Sequence, residues 1–279
     1  MSRLFKDTLH IGLHADRVLL ARVGGGLSRR LLCRHEEPVT SASGAAAAPA
    51  LLAALETALQ DKRWHDARAR VLLSNALVRY AVIPASGHVF TVADETALAQ
   101  LRFQQVHGGA EEWEVRLGNM LSGRGQVAAA LERGFLQSLA QILESARLRS
   151  SVIEPFLMRA LNRARRHIAE RDFWFAQAEP GLLMLAHVQA GNWISLVAVP
   201  LDAPLSRVLP AQMREAKLLA GDGGFARHVY LYAPGMDCSG CASGADFELV
   251  DFAGLKAMRA EAADQVLCTT GAAGCSAPN

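Results

Sequence analysis

The order of strand-like and helix-like segments repeats within the chain, and this constrains the fold more than any single motif. Near the start, apolar residues alternate with polar ones over 8–14 and 17–23, with Ala15-Asp16 between them. The pattern resumes over 31–36 after Gly24-Gly25-Gly26. A period of two marks half-buried strands, and glycine or short polar residues mark the reversals. An alanine-rich stretch, Ser41 to Ala48, leads into a helix over 49–61, and strands follow at 69–73 and 77–83, the second stopped by Pro84. About 170 residues downstream the order returns, with strands at 172–178, 182–188 and 193–199, a helix over 208–219 and a strand at 228–232. Two copies of strands, helix and strand predict an α/β protein of two lobes, each built on a mixed sheet with flanking helices.

Between the copies the chain is more helical. A helix over 93–107 stops at Gly108-Gly109, and strands at 112–118 and 126–130 flank Ser122-Gly123. Leu131, Phe135, Leu139 and Ile142 fall at helical spacing, which predicts an amphipathic helix over 131–146. A strand at 148–153 and a helix marked by Leu157, Leu161, Ala164 and Ile168 complete the link. The expected organisation is an N-terminal lobe over 1–154 with a subdomain at about 85–130, a C-terminal lobe over 155–263, and a disordered tail over 264–279 rich in Ala, Gly, Ser and Thr.

Composition narrows the function classes. The 279 residues are 51% hydrophobic, enough for one large core or two ordinary ones. A net charge of +2 points to no polyanionic partner. The closest approach to a basic stripe, Arg159, Arg163, Arg165 and Arg166, reads as a solvated helix face. The N-terminus lacks the form of a signal peptide, and the strongest apolar run, Leu182 to Val188, falls far short of the ~18 residues a membrane helix needs. The five cysteines, Cys33, Cys238, Cys241, Cys268 and Cys275, are an odd count without a secretion signal, which suggests reduced thiols in the cytosol. A soluble cytoplasmic protein is expected, reaching a membrane only through a partner.

Ile11-Gly12-Leu13-His14-Ala15-Asp16-Arg17-Val18 resembles the first phosphate signature of the actin-like ATPase superfamily, whose form is Ile-Gly-Ile-Asp-x-Gly followed by a returning strand. Within that superfamily the chain is most similar to the type IV pilus assembly PilM proteins and the cytoplasmic part of the type II secretion GspL proteins. The similarity rests on the stretch Val71 to Pro84, which resembles the family's strand ending in Leu-Pro, on the helix carrying Leu101, Arg102 and Phe103, and on Trp113-Glu114-Val115-Arg116. It runs over roughly residues 8–255. GspL proteins continue into a transmembrane helix, so the PilM-like arrangement is expected. The resemblance implies a two-lobed actin-like, ribonuclease-H-like fold. It also implies a scaffold at the cytoplasmic face of the inner membrane, gripping a short cytoplasmic segment of a pilus or secretion platform protein and touching the assembly ATPase. Two lobes can hold an extended peptide by backbone hydrogen bonds and side-chain pockets.

The resemblance offers ATP as cofactor, but the signatures depart from it. Mg²⁺ needs hard oxygen ligands and the phosphates need glycine backbone N–H groups. Here His14 stands at the acid position and Asp16 at the following glycine position, with only Gly12 matching. The second copy is expected at Leu185 to Gly191, with His187 at the acid position and Gly191 as the remaining glycine. The adenosine Gly-Gly is replaced by Tyr232-Ala233-Pro234-Gly235. A non-catalytic protein without cofactor is expected, the alternative being a nucleotide-binding ATPase or kinase-like phosphotransferase.

Other chemistry is weaker. Four residues of strand would place His10 and His14 ~13 Å apart, too far to share a zinc ion held by bonds of about 2 Å. Cys238-Ser239-Gly240-Cys241 with Cys268 and Cys275 could hold zinc or, as a CxxC, exchange disulfides, but loop thiols without such a role are the plainer reading. Gly-x-Ser-x-Gly is absent, and Gly221-Asp222-Gly223-Gly224 reads as the end of a helix. Trp113, Trp174 and Trp193 fall in strands and read as core residues.

Overall fold

The alternation near the start builds a hairpin of β1 (Thr8–Leu13) and β2 (Arg17–Val23), buried on both faces along most of its length. The computed structural model describes residues 7–25, 30–39, 47–84, 91–108, 112–118, 125–220 and 225–252. These fall into two compact units. One joins residues up to Val78 to Leu131–Phe156, and the other joins Arg79–Ala130 to the residues from Leu157 onward.

In chain order the remaining strands of the first unit are β3 (Leu31–Pro38) and β4 (Arg68–Leu73); then β5 (Arg79–Ile83), β6 (Trp113–Gly118) and β7 (Gln126–Glu132) intervene before β8 (Arg149–Pro155). Its sheet has the order β3-β2-β1-β4-β8. The first three strands form an antiparallel meander, while β4 runs parallel to β1 and β8 parallel to β4. Parallel neighbours need crossover connections, and α1 (Ala47–Ala58) supplies the one between β3 and β4. It packs on β2, on β3 and on the helix ahead of β8, which is α3 (Arg133–Ser145). The third helix in sequence order is so numbered because α2 (Val92–His107) precedes it. Leu51 and Leu55 of α1 and Phe135, Leu139 and Leu143 of α3 are buried at the four-residue spacing of a single helix face.

The second unit contains α4 (Phe156–Ala164) except for its first residue, then β9 (Phe173–Glu179), β10 (Leu182–Gln189), β11 (Asn192–Pro200), α5 (Leu205–Ala220), β12 (His228–Tyr232) and β13 (Glu248–Asp251). Its main sheet, β11-β10-β9-β12-β13, has the same order and strand directions as the first. Alternate residues of β9, namely Trp174, Ala176 and Ala178, share a core with Leu205, Leu209 and Met213 of α5. A three-stranded sheet, β5-β7-β6, carries α2 on a small core of Ala81, Ile83, Ala99, Phe103, Ala128 and Ala130.

The structure bears out the mixed α/β architecture and the repeated strand order. Two points differ from the sequence reading. The segment expected as an outgrowth of the N-terminal lobe clusters with the C-terminal half, because β5 lies against β11 and the Gly125 N–H donates to Asn192 Oδ1 at 2.9 Å. A Cβ at Gly125 would come within 3.2 Å of Asn192 Cβ and of the Trp193 backbone, so glycine permits this approach. The strand β13 has no signal in the sequence, since its four residues carry no alternation. The expected tail, Ser122-Gly123 and Gly221-Asp222-Gly223-Gly224 lie outside the described residues. Among those residues no helix is long and apolar enough to cross a membrane.

The two ends of α5 make a stability test. Leu209 is fully packed, whereas Leu218 is 83% exposed. In chemical denaturation Leu209→Ala should cost about 2–5 kcal/mol, and Leu218→Ala should stay within about 0.5 kcal/mol of the parent.

Candidate functional site

Because the two main sheets share one topology, β1 corresponds to β9 and the β1–β2 hairpin to the β9–β10 hairpin. In the first, Leu13 pairs with Val18 and the His14 N–H donates to Arg17 O at 3.0 Å, leaving Ala15-Asp16 as the turn. In the second, Glu179 pairs with Leu182 around Pro180-Gly181. Proline followed by glycine at φ +80° is the composition of a type II turn. Matching the turns aligns His14 with Glu179 and Asp16 with Gly181.

This corrects the sequence reading, which placed the second signature at His187 and Gly191. Those residues belong to the next hairpin, β10–β11, at the other end of β10, where Val188 pairs with Phe173 at the start of β9. Both hairpins offer a buried polar side chain near a turn with a positive-φ glycine, and only sheet order separates them. The second acid position therefore does hold a carboxylate.

The two aligned residues sit at the ends of central strands. His14 is 6% exposed and Glu179 is 2% exposed. Glu179 is close enough to Tyr80 of β5 to raise its pKa; burial pushes that phenol well above a tyrosine's ordinary 10.0, and the Glu179 charge adds to it. Asp16 is exposed, with its carboxylate 3.7 Å from the Arg17 guanidinium, while its carbonyl accepts from the Val39 N–H at 2.7 Å. Gly12 lies inside the sheet, paired with Leu19 on one side and Leu72 on the other. His10 is buried in β1 and His14 lies just beyond the strand.

His187, 7% exposed, stacks on Trp174 with ring centroids 4.3 Å apart and planes 7° apart. Burial lowers its pKa, against the opposing pull of Asp172, so the imidazole is neutral at pH 7. Gly191 takes φ +76° and its N–H donates to Arg171 O. Gly235, also at φ +76°, follows Pro234 in a turn closed by Met236 N–H to Ala233 O at 3.3 Å, again the composition of a type II turn. Trp174 and Trp193 are core residues, and Trp113 packs on Phe103.

Cys238 and Cys241 are half-buried against the core of the second unit, with Cys241 N–H bonded to Cys238 O at 3.0 Å. Burial, followed by Asp251, Cys241 and Asp237, pushes the Cys238 thiol from 9.0 to about 11. Burial and the same two aspartates raise Cys241 as well. A redox CxxC needs the opposite shift, because the thiolate is the nucleophile. Cys268 and Cys275 lie outside the described residues. Among those residues no cluster of three or more His, Cys, Asp or Glu side chains is arranged to hold a metal.

No family model and no curated protein matches the chain. Solved structures do. A Bacteroides thetaiotaomicron protein of actin-like ATPase fold and unknown function aligns at TM-score 0.57 and 13% identity, over 96% of this chain and 98% of that one. A chain of a PilM–PilN type IV pilus biogenesis complex aligns at 0.58 and 16%, over 87% and 88%. The cytoplasmic domain of EpsL, an inner-membrane component of the Vibrio cholerae type II secretion system, aligns at 0.56 and 9%, over 94% and 92%. The chain has the actin-like ATPase fold.

Two titrations follow. The folded state holds the Tyr80 proton more tightly than the unfolded chain does, so its contribution to stability is intact below pH 10 and falls as pH rises towards the folded value. A difference ultraviolet titration against Tyr80→Phe should show the Tyr80 phenol ionising well above pH 10. Glu179→Gln should advance that ionisation while leaving it above 10, because burial is the larger cause. Alkylation of Cys238 should be slow at pH 8 and accelerate with a midpoint near pH 11; rapid reaction at neutral pH would contradict the buried-thiol account.

Proposed function

We propose that the protein is a non-catalytic assembly scaffold of a type IV pilus or type II secretion-like platform at the cytoplasmic face of the inner membrane. In this reading it binds a short cytoplasmic segment of a membrane partner and meets the assembly ATPase. The fold likeness to a PilM–PilN chain and to the EpsL cytoplasmic domain, extending over most of each chain, supports the setting.

The observation that carries the non-catalytic half is His14. An imidazole buried at the end of β1 cannot replace a carboxylate beside Mg²⁺. Pro180 adds to this, since the turn that aligns with the second phosphate loop lacks a backbone N–H at that residue. Grip rather than turnover is the use that remains.

A second reading, nucleotide binding, draws on Glu179 and Gly181, which keep an acid and a glycine in the second hairpin. Thermal unfolding with saturating Mg-ATP separates the two. A ligand at 100 times its Kd stabilises by about 2.7 kcal/mol; the scaffold reading expects no shift. A shift abolished by Glu179→Gln would establish the nucleotide reading instead. Calorimetry with peptides from the cytoplasmic segments of the neighbouring platform proteins should detect binding, and failure of every such peptide on folded protein would overturn the scaffold.

A further inference from the structure

At the end of the second unit's sheet remote from the Pro180-Gly181 turn, a pocket of about 450 Å³ opens beside the starts of β9 and β12. That volume is in the range of small-molecule sites, roughly 300–1,000 Å³. Its wall is mixed in charge, but the two signs are not equally engaged. The Glu170 carboxylate accepts the Tyr230 hydroxyl, and its other oxygen lies 3.9 Å from His228 Nε2. Asp172 Oδ1 accepts the Ala190 N–H at 2.5 Å. The acids are thus occupied within the protein.

The cations are not. Arg171 spends one N–H on a neutral acceptor, Ala190 O at 3.2 Å. The Arg227 carbonyl accepts from the Glu248 N–H, but its guanidinium makes no hydrogen bond or ion pair among the described residues, and it lines the same pocket. Guanidinium groups bind carboxylate and phosphate oxygens through paired, charge-assisted hydrogen bonds. The half-exposed Phe225 adds an apolar wall. His187 also lines the pocket; it is more than nine-tenths buried, and its Nε2 has no hydrogen-bond partner among the described residues. Buried polar atoms are ordinarily satisfied, so an orphan in a pocket wall marks a place where a ligand or its bound water completes the bonding.

We propose that this pocket is a ligand site for a small molecule that carries a carboxylate or phosphate on a flat apolar ring. Arg171 and Arg227 take the anion, Phe225 takes the ring, and His187 forms the polar floor. The site is independent of the scaffold reading, because it uses neither aligned hairpin.

Calorimetry on the full chain with phenyl phosphate, benzoate and inorganic phosphate tests it. At least one ring-bearing anion should bind more tightly than phosphate alone, and which of the two does so tells a phosphate from a carboxylate ligand. Arg171→Ala and Arg227→Ala should each weaken that binding about tenfold, which is about 1.4 kcal/mol. Arg165→Ala, which removes an exposed arginine outside the pocket, should leave it unchanged. Phe225→Ala should weaken the ring-bearing probe and not phosphate. In nitrogen-detected NMR the His187 Nε2 signal should move with the same midpoint. Absence of binding, equal affinity for phosphate and the ring-bearing probes, an equal loss in Arg165→Ala, or a stationary His187 signal would each overturn the proposal.

Discussion

The rest of the structure depends on the burial of one strand in each sheet. β1 and β9 are hydrogen-bonded on both edges, antiparallel to the next strand and parallel to the strand after the crossover helix. A strand paired on both edges and covered on both faces has little room for polar side chains along its length, because each buried polar group must find a bond within the protein. Few polar side chains are buried within these strands, His10 in β1 and Gln177 in β9 being two, and other buried polar groups stand at the strand ends. That is where His14 and Glu179 stand, and why a sheet designed around packing still offers two positions at which function can change without disturbing the core.

Those two positions have diverged in charge. An imidazole beside a turn of Ala15-Asp16 and a carboxylate beside a turn of Pro180-Gly181 cannot serve a symmetric pair of phosphate contacts. Glu179 is instead close enough to β5 for its charge to act on Tyr80, which ties the hairpin end electrostatically to the smaller sheet of the same unit. The far end of the second sheet is different again: its acids are internally bonded, its arginines are open, and its histidine is stacked on an indole.

Much of the architecture was legible in the residues. The alternation in 8–23 and 172–199 locates the strands, although β1, β2 and β9 are buried on both faces rather than half-buried, and the four-residue spacing of Phe135, Leu139 and Leu143 and the repeated order of elements carry into the fold. What depended on tertiary partners did not show. β13 exists because β12 offers a parallel edge, not because Glu248–Asp251 alternate. The attachment of 79–130 to the C-terminal half rests on β5 lying against β11 and on the approach of Gly125 to Asn192, which no pattern in either segment announces. The second signature lies one hairpin earlier than the sequence pattern suggests, because strand-turn-strand sequences with a polar residue and a glycine look alike until their neighbours are known. Tyr80 beside Glu179, and Arg171 beside Arg227, are products of folding alone.

The first sheet also imposes an order on biosynthesis. Its edge strand β8 pairs Arg149 with Arg68 of β4, yet between them the chain leaves to build the β5-β7-β6 sheet, which clusters with the other unit. Closing such a distant pairing is slow, since the entropy of the intervening loop is spent before the contact returns anything. On the ribosome, β1 to β4 can associate early, but the first sheet lacks its last strand until the residues through Pro155 have emerged. A nascent chain halted before that point displays β4 as an open edge, so translation speed across the excursion governs how long an aggregation-prone surface is on view.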